Sequence, residues 1–169
     1  FNSLNTLRSL VREDQDKAQE YIQELSRVLR YTLQGNDSKS VTLRDEMEFV
    51  SAYIFLLKMR FEDNLSFDIR IDKQYDDHRL PPMAVQMLIE NAVKHNEISD
   101  RRPLSIRVYT EGEELVVTNP VQPKLTATAG TGVGLANLAK RYHLLYKCEI
   151  QITENKYFTV RIPLIPNAL

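Results

Sequence analysis

A single cysteine, Cys148, stands among the 169 residues. One thiol excludes an internal disulfide framework and a thiolate zinc site, and it fits a reducing cytoplasm. Cys148 follows the helix-like "LAKRYHLLYK" and opens a strand-like run, so it reads as a buried structural thiol. An excess of either charge is also missing: 22 basic and 23 acidic residues leave a net charge of -1. No overall field therefore draws the chain to nucleic acid or to an anionic membrane, and any binding must come from local sites. The longest apolar stretches, such as "FVSAYIFLLKM" from Phe49, fall short of the roughly twenty residues that span a bilayer. Neither a signal peptide nor an initiating methionine is present, and the chain opens at Phe1 inside a helical pattern, so it reads as a fragment of something longer. Glycine is scarce, and three of the five glycines fall between 130 and 134.

What is there suits one ordinary domain, or a small domain with a helical appendage: 43% hydrophobic and 27% charged residues. Apolar residues recur at helical spacing from Leu4 to Leu33, where Gly35 is a stop signal. Thr42 followed by Asp45 and Glu46 resembles an N-cap with an acidic first turn, predicting a helix from Leu43 to about Arg60. At "NLSFDIRID" the period changes to two, which predicts a half-buried strand. Pro81 and Pro82 then suit a helix start, with Met83, Val85, Leu88, Ile89, Ala92 and Val93 as its apolar face. The runs "LSIRVYT" and "ELVVTN" predict two strands, and a polar segment from Pro120 to Gly134 leads into a helix ending near Tyr146. The strands "CEIQIT" and "YFTVRIPL" close the chain as a hairpin. The order predicts an α+β fold: an N-terminal helical segment, then an α/β sandwich with a mixed, mostly antiparallel sheet and helices on one face.

Two stretches carry candidate chemistry. In "IENAVKHN", Glu90, Asn91, Lys94 and His95 gather a carboxylate, an amide, an ammonium and an imidazole within little more than one helical turn. Taken alone, Glu90 and Lys94 at i,i+4 equally make a solvated surface pair. In "GTGVGLAN", Gly130, Gly132 and Gly134 alternate just before a helix, with Thr131 between the first two. Glycines admit close approach and first-turn amides are unpaired donors, so phosphate is one natural guest and a bare flexible turn is the other reading. The spacing is neither G-x-G-x-x-G nor a P-loop. Taken together, in this order, the two stretches suit metal-bound nucleotide phosphates.

"IENAVKHN" followed by "GTGVGLANLAKRY" resembles the N box and second glycine box of the GHKL ATPase fold, shared by histidine kinases, gyrase-type topoisomerases and certain chaperones. "FNSLNTL", "RVLRYTL", "LRDEMEFVSAYIFLLKMRF" and "LPPMAVQMLIENAVKH" resemble, in order, the LytS-type sensor histidine kinases, so the resemblance covers essentially the whole chain. It implies a helical dimerisation and phosphoacceptor-like segment at 1–61 and an ATP-binding catalytic domain at 62–169. ATP with Mg2+ is the implied cofactor. Asn91 would hold the ion through its side-chain oxygen, Lys94 would meet a phosphate, and Glu90 would polarise the reacting centre or orient a metal-bound water. His95 would shape the site, and Gly130, Thr131, Gly132, Gly134, Leu135 and Asn137 would border the nucleotide at the lid. Arg141 would reach phosphate or make a structural ion pair.

The family's Asp-x-Gly before the lid is replaced: Asn119 stands at the equivalent place, followed by Pro120 and Val121. An amide oxygen accepts the adenine amino proton but brings no charge. Four residues before Asn91, where gyrase-type ATPases carry a water-activating glutamate, stands Met87. A thioether is no general base, which favours transfer to a supplied nucleophile over hydrolysis. The resemblance puts that acceptor histidine three residues before Phe1. His78, in a polar turn, and His143, expected to pack on the last helix, lack an acceptor motif. Further implications are a homodimer through the N-terminal helices, a response-regulator partner, and a cytoplasmic placement in an inner-membrane protein tethered upstream. The alternative is a non-catalytic scaffold of the same fold with little or no nucleotide binding.

Overall fold

The computed structural model describes residues 2–35, 38–126 and 132–167. The periodic N-terminal run divides into two helices, α1 (Asn2–Glu13) and α2 (Gln15–Gly35). Asp14 makes the division: its carboxylate accepts from the Lys17 amide at 3.1 Å, so it caps α2. Apolar spacing does not register that change of path, because the stripe continues across it. After α2 comes a two-residue strand, β1 (Val41–Thr42), which leads directly into α3 (Leu43–Phe61). The predicted cap holds, since the Asp45 amide donates to Thr42 Oγ1 at 3.2 Å. The acidic first turn holds only in part. Asp45 is exposed, but Glu46 is wholly buried and turns away to another helix.

The strands follow as β2 (Leu65–Arg70), β3 (Arg79–Leu80), β4 (Leu104–Glu111), β5 (Glu114–Pro120), β6 (Gln151–Glu154) and β7 (Tyr157–Pro163). Helix α4 (Ala84–His95) lies between β3 and β4, and α5 (Val133–Tyr146) between β5 and β6. The main sheet runs β2-β4-β5-β7-β6, and only the β2-β4 pair is parallel. The architecture is thus the expected α+β arrangement with a mixed, mostly antiparallel sheet. A two-stranded ribbon, β1 with β3, was not expected, because two-residue strands carry no period.

Register places Ile106, Val108, Leu115, Val117, Val160 and Ile162 on one sheet face, all buried. They form one core with Leu88, Ile89 and Ala92 of α4, Leu138 and Tyr142 of α5, and Leu43, Val50 and Leu57 of α3. Fully burying an aliphatic side chain such as Ile89 contributes about 1.5–3 kcal/mol, so the apolar face of α4 anchors it firmly to the core. Helix α3 lies between that core and α2, with Tyr31 of α2 stacked on Phe49 at 4.2 Å between ring centroids. Leu4, Val11, Ile22, Leu29 and Leu33 of α1 and α2 stay exposed. Among the described residues, no helix is long and apolar enough to cross a membrane.

Two expectations about single residues are corrected. Cys148 lies outside the strand that it was expected to open and is only half-buried, its thiol 3.3 Å from the Tyr146 carbonyl oxygen. His143 does not pack: its ring is exposed and its Nδ1 lies 2.8 Å from Glu149 Oε1. That contact with Glu149, across the helix end, holds the ring outside the core.

Candidate functional site

Helix α4 presents two polar ridges. Met87, Asn91 and His95 recur every four residues along one, and Gln86, Glu90 and Lys94 along the next. The first ridge meets α5: a Cβ added to Gly134 would lie 3.6 Å from Met87 Sδ. The second faces a cavity of about 660 Å3 closed by the helical segment, with Ser3 and Thr6 from α1, Tyr53 and Arg60 from α3, and Lys124 beyond β5. Glu90 and Lys94 line that cavity, whereas Asn91 and His95, both half-buried, stay out of it. Most of the remaining lining is apolar, including Leu25, Leu29, Leu56, Phe61 and Val93, with the exposed cations Arg60, Lys94 and Lys124 and the Glu90 carboxylate among it.

Glu90 and Lys94 do not form the surface ion pair that their spacing allows. Glu90 accepts instead from Gln86 Nε2 at 2.9 Å, one turn back on the same ridge. Its charge is felt across the cavity: burial first, and then the Glu90 carboxylate, push the Tyr53 hydroxyl up to about 12.

The segment that follows β5 is tied to the end of α4. Asn96 is buried; its Nδ2 donates to the Ala92 carbonyl at 2.8 Å, and its Oδ1 accepts from the Gln122 amide at 2.9 Å. The Gln122 side chain donates to the Glu97 and Arg102 carbonyls at 2.7 and 3.0 Å, and the Lys124 amide to the His95 carbonyl at 3.4 Å. Neither Asn96 nor Gln122 was marked by the sequence reading, because an asparagine after a helix reads as an ordinary stop.

Asn119 ends β5 on the face that the helices cover, opposite Phe158 in register, and is 2% exposed. Its Nδ2 donates to the Pro120 carbonyl at 2.8 Å, which leaves the side-chain oxygen as the acceptor end of the amide. On the far side of the lid, Gly132 stands at φ 64, a left-handed conformation that favours glycine, and serves as the N-cap of α5. Gly134 and Asn137 are exposed in the first turns of α5, and Leu135 packs against the core. Gly130 and Thr131 lie outside the described residues. Arg141 donates to the Pro82 carbonyl at 3.2 Å, a structural contact at the turn before α4.

Glu46, expected only as a first-turn acid of α3, has a different role. Its carboxylate accepts from the Tyr31 hydroxyl at 2.6 Å and from the Met83 and Val85 amides at 3.0 and 3.2 Å. Burial raises its pKa against these bonds, which pull it down. Its position four residues after a cap gave the appearance of an ordinary first-turn acid.

Among the described residues, no group of three or more His, Cys, Asp or Glu could hold a metal ion by itself. A divalent ion at Asn91 would therefore take most of its oxygens from a ligand and water, as Mg2+ does beside nucleotide phosphates.

A family model described as histidine kinase matches residues 1–65. The chain is 33% identical over 164 residues to the sensor protein LytS of Streptococcus agalactiae, covering 86% of this chain and 28% of that protein. It is 32% identical over 174 residues to the sensor histidine kinase BtsS of Escherichia coli, covering 96% of this chain and 31% of that one. The chain thus spans less than a third of these relatives. In fold it is similar to the cytoplasmic segment of histidine kinase QseC, with a TM-score of 0.53 at 10% identity over 76% of this chain and 78% of that one. It is also similar to the catalytic domain of histidine kinase ThkA, with a TM-score of 0.50 at 20% identity over 75% and 97%. With helices ahead of a mixed sheet, an N-box-like α4 and this identity along nearly its whole length, the chain belongs to the LytS-type sensor histidine kinases.

Proposed function

We propose that this chain is the ATP-binding catalytic part of a two-component sensor histidine kinase. It moves the γ-phosphate of ATP to a histidine upstream of Phe1, from which a response regulator receives it. The observation that carries the reading is the division of α4: Asn91 shares a ridge with Met87, which meets α5 at Gly134, while Glu90 and Lys94 line a cavity to which α1 contributes Ser3 and Thr6. Nucleotide on one ridge and acceptor on the other is the geometry that phosphoryl transfer needs, since the protein chiefly positions the two and stabilises phosphate charge.

Within that reading, Asn91 holds Mg2+ through its side-chain oxygen, and the ion neutralises phosphate charge when bound. Lys94 meets phosphate at the mouth of the cavity. Glu90, oriented by Gln86, faces the incoming acceptor and accepts a hydrogen bond from it. Asn119 accepts the adenine amino proton. Gly130, Thr131, Gly132, Gly134 and Asn137 border the phosphates, and Leu135 anchors that edge to the core. His95 supports the lid root through its carbonyl.

The exposed apolar residues of α1 and α2 are covered in a homodimer, and the full-length protein is tethered to the membrane upstream, with this chain on the cytoplasmic side. Incubation with γ-labelled ATP tests the assignment. This chain stays unlabelled, and a longer chain that includes the upstream segment takes acid-labile label there. Label on His78 or His143 overturns it. The scaffold reading draws on Asn119 in place of the expected aspartate, and a folded chain without nucleotide binding would favour it.

A further inference from the structure

The turn before α4 is held by two other helices, and a third reaches the side chain that holds it. Met83, the N-cap of α4, stands at φ 65 with no capping side chain of its own. A left-handed methionine costs about 1–2 kcal/mol, so the surrounding contacts must impose it. Glu46 of α3 supplies them, accepting from the amide of Met83 itself and from that of Val85, which a capping side chain would otherwise satisfy. The carboxylate also suits the positive end of the helix dipole. Arg141 of α5 grips the preceding carbonyl at Pro82. The same Glu46 oxygen that receives Met83 also receives the Tyr31 hydroxyl of α2, at 2.6 Å.

We propose that Glu46 is a positioning residue for the nucleotide helix, and that its bond to Tyr31 makes the placement of α4 depend on α2. The inference rests on the reading of α4 as the nucleotide helix. Its consequence is a direct route between the helical segment and the site. A turn of α2 about its axis withdraws the Tyr31 hydroxyl, the carboxylate re-centres on its remaining donors, and the first turn of α4 moves with it. Asn91, two turns along the same rigid helix, is displaced relative to the lid. No strand of the sheet takes part. Glu46 touches neither nucleotide nor acceptor and acts only through α4.

Isothermal titration of this chain with ADP and Mg2+, at a temperature well below unfolding, tests the proposal. Glu46→Gln keeps the side-chain volume but offers one acceptor oxygen in place of two. Tyr31→Phe leaves both α4 amides capped. Ile162→Val, which trims the shared core from β7 and leaves the Glu46 bonds intact, is the control for lowered stability alone. The expected result is a loss of affinity of about tenfold in Glu46→Gln and about threefold in Tyr31→Phe, against no change in Ile162→Val; by the usual conversion these are about 1.4 and 0.7 kcal/mol. Affinities in both variants equal to that of Ile162→Val overturn the proposal, because a merely structural carboxylate lowers the melting temperature without moving the dissociation constant of the folded chain. Should Glu46→Gln fail to fold, Tyr31→Phe decides alone: a threefold loss supports the proposal and an unchanged affinity overturns it. A folded wild-type chain that does not bind ADP overturns the nucleotide-helix reading itself, and the inference with it.

Discussion

Truncating Asn96 to alanine removes its bond to the segment after β5 and the bond that fixes its amide on α4. The Gln122 amide, which donates to Asn96 Oδ1 at 2.9 Å, is left buried without its acceptor. An unsatisfied buried donor costs about 1–3 kcal/mol, and losing the second bond, to the Ala92 carbonyl at 2.8 Å, adds about 0.5–1.5 kcal/mol. Asn96→Ala therefore costs about 2–4 kcal/mol, a large share of the 5–15 kcal/mol typical of a folded domain. Urea unfolding followed by far-ultraviolet circular dichroism measures the loss, with the midpoint falling and the slope unchanged. For a chain of this size the melting temperature falls by roughly 10 °C. Gln122→Ala separates the parts. It keeps the backbone amide on Asn96 and loses the side-chain bonds to the Glu97, Arg102 and Pro103 carbonyls, so its cost is set by those bonds. An Asn96→Ala cost below about 0.5 kcal/mol would refute the reasoning, since water or a backbone shift would then replace both bonds freely.

Two further predictions concern backbone and charge. Nothing lies within 4 Å of a Cβ placed on Gly132, so Gly132→Ala is penalised only by its φ of 64; thermal unfolding should register about 1 kcal/mol of destabilisation, and a gain in stability would count against the left-handed N-cap. Glu46 binds its proton more tightly in the folded than in the unfolded chain, because burial raises its pKa. The stability it contributes is complete below the ordinary glutamate range and is lost as pH rises through the raised folded value. Glu46→Gln should flatten stability against pH across that window by up to one proton, and an unchanged slope in the variant contradicts the direction of the shift.

Periodicity and punctuation made most of the fold legible. The switch from helical spacing at "FVSAYIFLLKM" to alternation at "SFDIRID" marked the entry to the sheet, and Thr42 marked the start of α3 by its own chemistry. Asp14 and the β1-β3 ribbon were not legible, since a cap inside a continuing stripe and a two-residue strand leave no repeat. At the site, the residues on α4 were readable because helical spacing fixes which ones share a ridge. Their partners were not. Glu46, Gln122 and Arg141 meet α4 from 37, 26 and 59 residues away, to Met83, Asn96 and Pro82, and only the tertiary fold brings them there. Glu46 shows the difference sharply: its local sequence describes a first-turn acid on its own helix, while the packing makes it the cap of another.

The proposed binding of a Mg2+-bound nucleotide to α4 through Asn91 is decided by one measurement. Thermal unfolding with ADP or ATP, with and without Mg2+, tests it most directly. Ligand at about a hundred times its dissociation constant adds about 2.7 kcal/mol to the folded state and raises the melting temperature accordingly. The account predicts a Mg2+-dependent rise in the wild-type chain that Asn91→Ala abolishes while its ligand-free melting stays close to wild type. No rise at millimolar nucleotide, or a rise that Asn91→Ala leaves intact, would contradict it.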